Sequence, residues 1–185
     1  VPGPETSRYG GNTSCVEVKI DGGPRIVLDA GTGIRKLGKE IIANDPATSQ
    51  THLLVSHTHW DHIQGLPYFA PLYQRGHKVN VFALQRDDKN LREVFASQSD
   101  SAYFPVTFDE VQAQLTFREL TEKAEFHIGP VKVQCTRLNH PWIAIAYRLE
   151  YDGKVFCYVT DTAPFRDLLI EHDFIKRPPQ PGDEL

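Results

Sequence analysis

Hydrophobic residues recur at every second position in several stretches of this chain, and beyond Gln114 the pattern becomes β-rich. Val16, Val18 and Ile20 alternate with polar partners over 15–20, and Asp21-Gly22-Gly23-Pro24 reads as a hairpin turn into a return strand over 25–28. The short apolar run 52–56 predicts a buried strand, and 78–82 another. Beyond Gln114 strands are expected over 114–120, 125–128, 131–136, 143–151 and 154–159, the last two folded about Asp152-Gly153. Two stretches carry a helical period instead. One is 32–43, with Ile34, Leu37, Ile41 and Ile42 on one stripe; the other is 88–98, with Leu91, Val94 and Phe95. A helix start is expected over 164–172, and an irregular tail with three prolines over 174–185. In the aromatic run 66–73, Tyr68 and Phe69 are expected mainly in the core.

One polar interruption changes this picture. Ser56-His57-Thr58-His59-Trp60-Asp61-His62 follows directly on the strand 52–56, and it precedes a turn, 63–67, with Pro67 near a helix start. The cluster therefore sits on a loop at the carboxyl end of a strand, where ligands gather in α/β architectures. Imidazole nitrogen and carboxylate oxygen suit zinc, manganese or iron. A tight loop can aim His57 and His59 at one metal, and Asp61 and His62 at a second. Two metals so placed can hold a bridging hydroxide and clamp the oxygens of a displacement at phosphorus or carbon. The alternative, a surface loop rich in histidine by chance, fits poorly with four ligand-type residues in six. His140 and Asp161 also follow strands. Each alone is weak, but together they supply a third imidazole and a carboxylate able to bridge.

His57-x-His59-x-Asp61-His62 resembles the signature of the metallo-β-lactamase fold superfamily, and Gly65-Leu66-Pro67 resembles its phosphodiesterase branch, which includes ribonuclease Z and cyclic-phosphate phosphodiesterases. Asn139-His140-Pro141 looks like the second histidine motif, and Thr160-Asp161-Thr162 like the Ser/Thr-Asp-Thr motif of that branch. The resemblance implies an α/β four-layer sandwich of helix, sheet, sheet and helix. It assigns His57, His59, His140 and Asp161 to one metal, and Asp61, His62 and Asp161 to the other. Asp61 would orient the nucleophile or take its proton. Asp29, which ends the strand 25–28, would support the metal loop from behind, as such carboxylates do for ligating histidines; the alternative is that it caps the helix 32–43. Trp142 is a candidate pocket wall, with core packing the equal alternative. Residues 85–113 are either a lid over the metal site or a plain helical connection. His52, His77 and His127 have no ligand neighbours at useful spacing and read as structural.

Family members complete the second metal with a histidine near the C-terminus, often beside another that protonates the leaving group. His172, the one histidine after Asp161, is not expected to be that ligand. The expectation is that residues 1–185 form one metallo-hydrolase domain shortened at both ends, lacking a first strand and a last βα segment. The absence of methionine points the same way.

Composition narrows the function further. The formal net charge is −4 and no Lys/Arg cluster marks a track for a long polyanion, so nucleic acid is disfavoured as a partner without being excluded. Cys15, Cys135 and Cys157 lie in apolar, strand-like runs and read as buried, reduced thiols of a cytoplasmic protein. No transmembrane span or signal peptide is visible. The reading is a hydrolase with two divalent metals, zinc first and manganese or iron next, acting on a small cyclic or nucleotide phosphodiester. The alternatives are a thioester, lactone or β-lactam hydrolase on the same fold, or a non-catalytic domain. The oligomeric state is open, a homodimer included.

Overall fold

The alternating segments assemble into two sheets. In the computed structural model, which describes residues 3–45 and 49–163, the first sheet has the order β1 (Val16–Val18), β2 (Arg25–Leu28), β3 (Gln50–Leu54), β4 (Lys78–Leu84) and β5 (Gln114–Leu120). β1 pairs antiparallel with β2, and the remaining pairs are parallel. The second sheet is a fully antiparallel meander of β6 (Glu125–Ile128), β7 (Val131–Arg137), β8 (Ile145–Tyr151) and β9 (Lys154–Tyr158).

Parallel strands need crossovers, and here these are helical. α1 (Ile34–Asn44) joins β2 to β3; α2 (Trp60–Ile63) with two 3-10 turns joins β3 to β4; α3 (Leu91–Ala96) lies between β4 and β5. Ile34, Ile41, Phe69, Leu72, Leu91 and Phe95 bury against Val27, Leu53, Val79 and Val81 on one face of the first sheet. The opposite face, through Ile26, Leu28, Leu54, Phe82 and Leu84, meets Phe126, Val133, Ile145, Tyr147 and Leu149 of the second sheet. Phe82 and Phe126 stack across this interface with ring centroids 5.1 Å apart. Tyr147 is fully buried, and its hydroxyl donates to the Val55 carbonyl at 2.8 Å, which ties the two sheets together. The described residues thus form helix, sheet and sheet layers of the expected sandwich. The expected helix 164–172, the tail 174–185 and His172 lie outside the described residues.

Several expectations shift, each for a local reason. β3 spans Gln50–Leu54 rather than 52–56, because the N–H of Ser56 leaves the ladder and donates to the Asp29 carboxylate at 2.7 Å. α3 is shorter than 88–98: Asn90 caps it, accepting from the Glu93 N–H while the Glu93 side chain accepts from Asn90. On α1, Ile42 is exposed and Gly38 is buried in its place. A Cβ on Gly38 would lie 2.9 Å from the Phe69 ring, so the bare backbone is what lets the 3-10 turns seat. Phe69 is core, whereas Tyr68 is exposed and meets Phe104 edge-on. α3 packs on the sheet through Leu91 and Phe95. Cys135 is buried, but Cys15 is half-buried and Cys157 is exposed on the edge strand β9, which corrects the expectation of three buried thiols.

His77 is a structural histidine. Its ring is fully buried, with Nδ1 3.0 Å from the Ser49 hydroxyl and Nε2 3.1 Å from that of Thr51.

Two outcomes follow from this packing. The sequence stripe treats Ile41 and Ile42 alike, but Ile41→Ala should cost about 2–4 kcal/mol as a buried deletion and Ile42→Ala under about 1 kcal/mol, read from guanidinium midpoints. His77 is held below its ordinary pKa of 6.5, by burial first and then by the charge of Arg25. Its protonated form therefore favours the unfolded chain. Its stabilising contribution is complete above about pH 6.5 and is lost as pH falls below that value. Between pH 7.5 and 5.5 the midpoint should fall less in His77→Asn than in the parent; an equal fall would show that other groups carry the acid sensitivity.

Candidate metal centre

Three loops at one edge of the sandwich deliver the site. The first begins where β2 ends. Asp29 takes a left-handed backbone, φ 60°, which costs a non-glycine residue about 1–2 kcal/mol, and its side chain is completely buried. The turn that follows interlocks with the histidine loop: the Ala30 N–H donates to the His62 carbonyl at 2.7 Å, and Gly65 N–H to the Ala30 carbonyl at 2.8 Å. The contact is so close that a Cβ on Gly65 would overlap the Gly31 carbonyl.

The second loop is the histidine run itself. His57 and His59 precede α2, with His59 at its N-cap, and the helical turn then rotates Asp61 and His62 apart. His62 is buried, while the Asp61 side chain is 55% exposed. The third contribution comes from the second sheet. His140 follows β7 and Asp161 follows β9. Asn139 ties these two loops to each other: the Ala163 N–H donates to the Asn139 carbonyl at 2.8 Å, and the Asn139 amide lies 3.4 Å from the Ala163 carbonyl.

Asp29 organises the ligand-type residues from behind and does not cap α1, whose N-cap is Gly33. Oδ1 accepts from the Ser56 N–H, and Oδ2 accepts from the Ser56 hydroxyl at 2.8 Å, from His62 Nδ1 at 2.6 Å and from the Tyr158 hydroxyl at 2.9 Å. These bonds set the protonation of two imidazoles. With its Nδ1–H given to Asp29, His62 presents a lone pair at Nε2. The Ser56 hydroxyl spends its proton on Asp29, so its oxygen accepts from His57 Nδ1 at 3.1 Å, which leaves a lone pair on His57 Nε2.

Those lone pairs converge. His59 Nδ1 lies 3.1 Å from both His57 Nε2 and His140 Nε2. His62 Nε2 lies 3.4 Å from Asp61 and 3.4 Å from Asp161, and the second Asp161 oxygen is 4.0 Å from His57 Nε2. Among the described residues, His57–His59–His140 and His57–His62–Asp161 are the groups that could hold a metal ion. The donor set fits a divalent, borderline-soft cation: neutral imidazole nitrogens with carboxylates beside them. Electrostatics favour the neutral form at two of these imidazoles and the charged form at a third. Burial, then repulsion from His62, His59 and His140, pushes the His57 pKa down to about 3. Burial, then His59, lowers that of His140. Burial alone would lower His62 too, but its hydrogen bond to Asp29 and the charges of Asp29, Asp61 and Asp161 raise it instead.

The structure brings His57, His59, Asp61, His62, His140 and Asp161 into one cluster, with Asp29 behind it. Trp142 is 56% exposed and lines a 260 Å³ cavity with His57, Thr58, His59, Arg86 and Asp88, which places it in a wall and not in the core. Nothing in the local pattern marks Ser56 and Tyr158 as partners of Asp29, nor Arg86 as reaching Thr58 at 3.2 Å. Serine, tyrosine and arginine have many uses, and their partners here lie 27 to 129 residues away.

Two face-to-face sheets with helical crossovers on one face, and a histidine–aspartate cluster on the loops at one edge, define an α/β sandwich of the metallo-β-lactamase fold. The family model described as "Beta-lactamase superfamily domain" matches residues 24–174, and the chain belongs to that family, which is made up mostly of metal-dependent hydrolases. It is 23% identical over 154 residues to "Ribonuclease Z" of Haloarcula marismortui, a match covering 82% of this chain and 45% of that relative, so the chain spans less than half of its length. Among solved structures it resembles the metallo-β-lactamase fold protein YhfI from Bacillus subtilis, with a TM-score of 0.60 at 17% identity over 89% of this chain and 61% of that one. It also resembles human tRNase Z, short form, with a TM-score of 0.58 at 17% identity over 80% and 62% of the two chains. Among the described residues no helix is long and apolar enough to cross a membrane.

The Asp29 network should dominate local stability. Asp29→Asn keeps the shape but exchanges an acceptor for a donor facing hydroxyl and imidazole donors, and should cost about 2–3 kcal/mol. Tyr158→Phe removes one of the four bonds and should cost about 1 kcal/mol. Equal midpoints for Asp29→Asn and the parent in guanidinium unfolding would show that the network is not a stabilising feature.

Proposed function

We propose that this protein is a metal-dependent phosphodiesterase for a small cyclic or nucleotide phosphodiester. The observation that carries the reading is the convergence of ligand-type side chains into two adjacent triads that share His57, His57–His59–His140 and His57–His62–Asp161, with Asp61 beside His62. In this proposal His57, His59, His140 and Asp161 hold one divalent metal, zinc first. Asp61, His62 and Asp161 hold a second. Divalent metals at such a site lower the pKa of water and neutralise charge on phosphoryl oxygens.

The chain's own residues do the remaining work. Asp29 keeps His62 and, through Ser56, His57 in the tautomers that leave Nε2 free. Asp61 is exposed on the open side of the cluster, where its carboxylate can orient the attacking water or accept its proton. Two further points support the diester reading: the likeness to a protein named Ribonuclease Z, and the Gly65-Leu66-Pro67 turn, whose glycine is demanded by the close approach to Gly31. The net charge of −4 argues for a small substrate over a long nucleic acid.

The test is hydrolysis of bis(p-nitrophenyl) phosphate by metal-stripped protein titrated with zinc and then with manganese. Turnover should appear only with metal. It should vanish in His59→Ala and Asp161→Ala, which should also bind less zinc in equilibrium dialysis. Asp61→Asn should lose about 10²–10⁴-fold in kcat. Zinc binding with turnover of thioesters or lactones, and none of the diester, would overturn the diesterase reading while leaving the metal centre in place.

A further inference from the structure

Parallel pairing sets the carboxyl ends of β3 and β4 side by side. The chain that leaves β4 therefore runs beside the histidine loop that leaves β3. Arg86 and Asp88 stand on that stretch, and they line a 260 Å³ cavity together with His57, Thr58 and His59. The Arg86 side chain is only 18% exposed, although it lies outside the set of residues that could hold a metal. A guanidinium is costly to withdraw from water unless its donors are matched, so its partners decide what it can do.

Arg86 Nε donates to one Asp88 oxygen at 2.8 Å and Nη2 to the other at 2.9 Å, while Nη1 donates to the Thr58 hydroxyl at 3.2 Å. A guanidinium carries five N–H bonds, so two of them meet no acceptor among the described residues. The hydrogen bonds from Arg86 hold the Asp88 carboxyl below its ordinary pKa, which keeps the pair ionised at neutral pH. The charge of Arg86 is thus balanced, but its donors are not used up. Beyond Ile143 a larger cavity of 540 Å³ adds Asp87, Glu122 and Arg137. Glu122 balances Arg137 at 2.7 Å, and Asp87 leaves that part negative. On this side of the histidine cluster a ligand therefore meets fixed donors and no surplus positive charge.

Resting on the phosphodiesterase reading above, we propose that Arg86 is a specificity-determining residue: its unengaged N–H bonds donate to an oxygen of the ester substituent beside His57 and His59, and its pairing with Asp88 suits that place to an uncharged, oxygen-bearing group such as a sugar and not to a second phosphate. The cavity falls just below the usual size of a small-molecule site, which matches one sugar-sized group and not a whole nucleotide. Asp88 sets the choice. It occupies the two N–H bonds that a phosphate would take as a fork, and its negative charge opposes another anion.

Calorimetric titration of zinc-loaded protein tests this without turnover, with three probes: methyl phosphate, thymidine 5′-phosphate and thymidine 3′,5′-bisphosphate. Arg86→Gln should weaken thymidine 5′-phosphate about tenfold, the loss expected for a hydrogen bond from a charged donor, and leave methyl phosphate unchanged. Arg86→Lys keeps the charge without the fork and should restore only part of the difference. Asp88→Asn leaves the arginine in place. It should improve the bisphosphate about fivefold relative to thymidine 5′-phosphate at low ionic strength, a gain that fades as salt is added. An equal loss for methyl phosphate and thymidine 5′-phosphate in Arg86→Gln, or a loss of bound zinc in equilibrium dialysis, would show that Arg86 only braces the histidine loop through Thr58, and would overturn the proposal. So would an unchanged preference in Asp88→Asn, or failure of thymidine 5′-phosphate to bind the parent. Turnover of bis(p-nitrophenyl) phosphate with any of these results would keep the diesterase and remove the role of Arg86. The expected binding changes without turnover of any diester would keep the role of Arg86 and refute the diesterase.

Discussion

The site depends on one buried carboxylate. Asp29 is fully excluded from water and compensates its desolvation with four hydrogen bonds, from two atoms of Ser56, from His62 and from Tyr158. A buried carboxylate is costly unless its lone pairs are matched, so its donors cannot drift without a large penalty. They come from three separate parts of the chain: the end of β3, the helical turn α2 and the last residue of β9. The same bonds that satisfy the carboxylate therefore fix the second sheet to the first and set which imidazole nitrogens face outward. Left-handed backbone at Asp29 is the local cost of turning its side chain inward, and the surrounding network offsets it.

That arrangement divides the cluster into a rigid side and an open side. His57 and His62 stand on the buried side, their inner nitrogens already committed. Asp61 and Asp161 stand on the exposed side, each with one oxygen 3.4 Å from the buried His62 Nε2. The division suits a site that must keep its geometry while exchanging substrate, because the buried imidazoles keep position whatever the exposed carboxylates do. Asn139 extends the same logic to the second sheet, since it joins the His140 loop to the Asp161 loop through the backbone.

Much of this was legible in the sequence, and for a definable reason. Histidine and aspartate at close spacing after a buried strand have few uses other than metal binding, so the run 57–62, His140 and Asp161 could be read without coordinates. The strand patterns placed them at strand ends, and the nine strands among the described residues appear close to where the apolar patterns and turn signals predict them. What was illegible depends on distance in sequence or on degeneracy of residue type. Ser56 and Tyr158 look like ordinary strand residues until Asp29 is placed beside them. Ile41 and Ile42 are equivalent on a helical wheel, and only the seating of Phe69 against Gly38 decides which is buried. Cys157 is exposed on β9, the last strand of the second sheet among the described residues, and which face of a sheet is covered is a property of tertiary packing that local pattern does not carry.

Trp142, like Asp29, had two readings in the sequence, and its place in the cavity wall bears on a different property of the site. If the cluster works as proposed, its imidazoles and carboxylates would serve attack at phosphorus and at a carbonyl equally well, so they do not choose a substrate. Choice has to come from groups that touch the substrate away from the reacting bond. Arg86 and Trp142 face the same cavity as His57 and His59, and both are pinned: the arginine by Asp88 and Thr58, the tryptophan loop by Arg137. A pinned wall loses little conformational entropy when a ligand arrives, so its contacts convert efficiently into selectivity. Because Arg86 is already paired with Asp88 and Arg137 with Glu122, those two guanidiniums offer a substrate placed hydrogen-bond donors more than unbalanced positive charge.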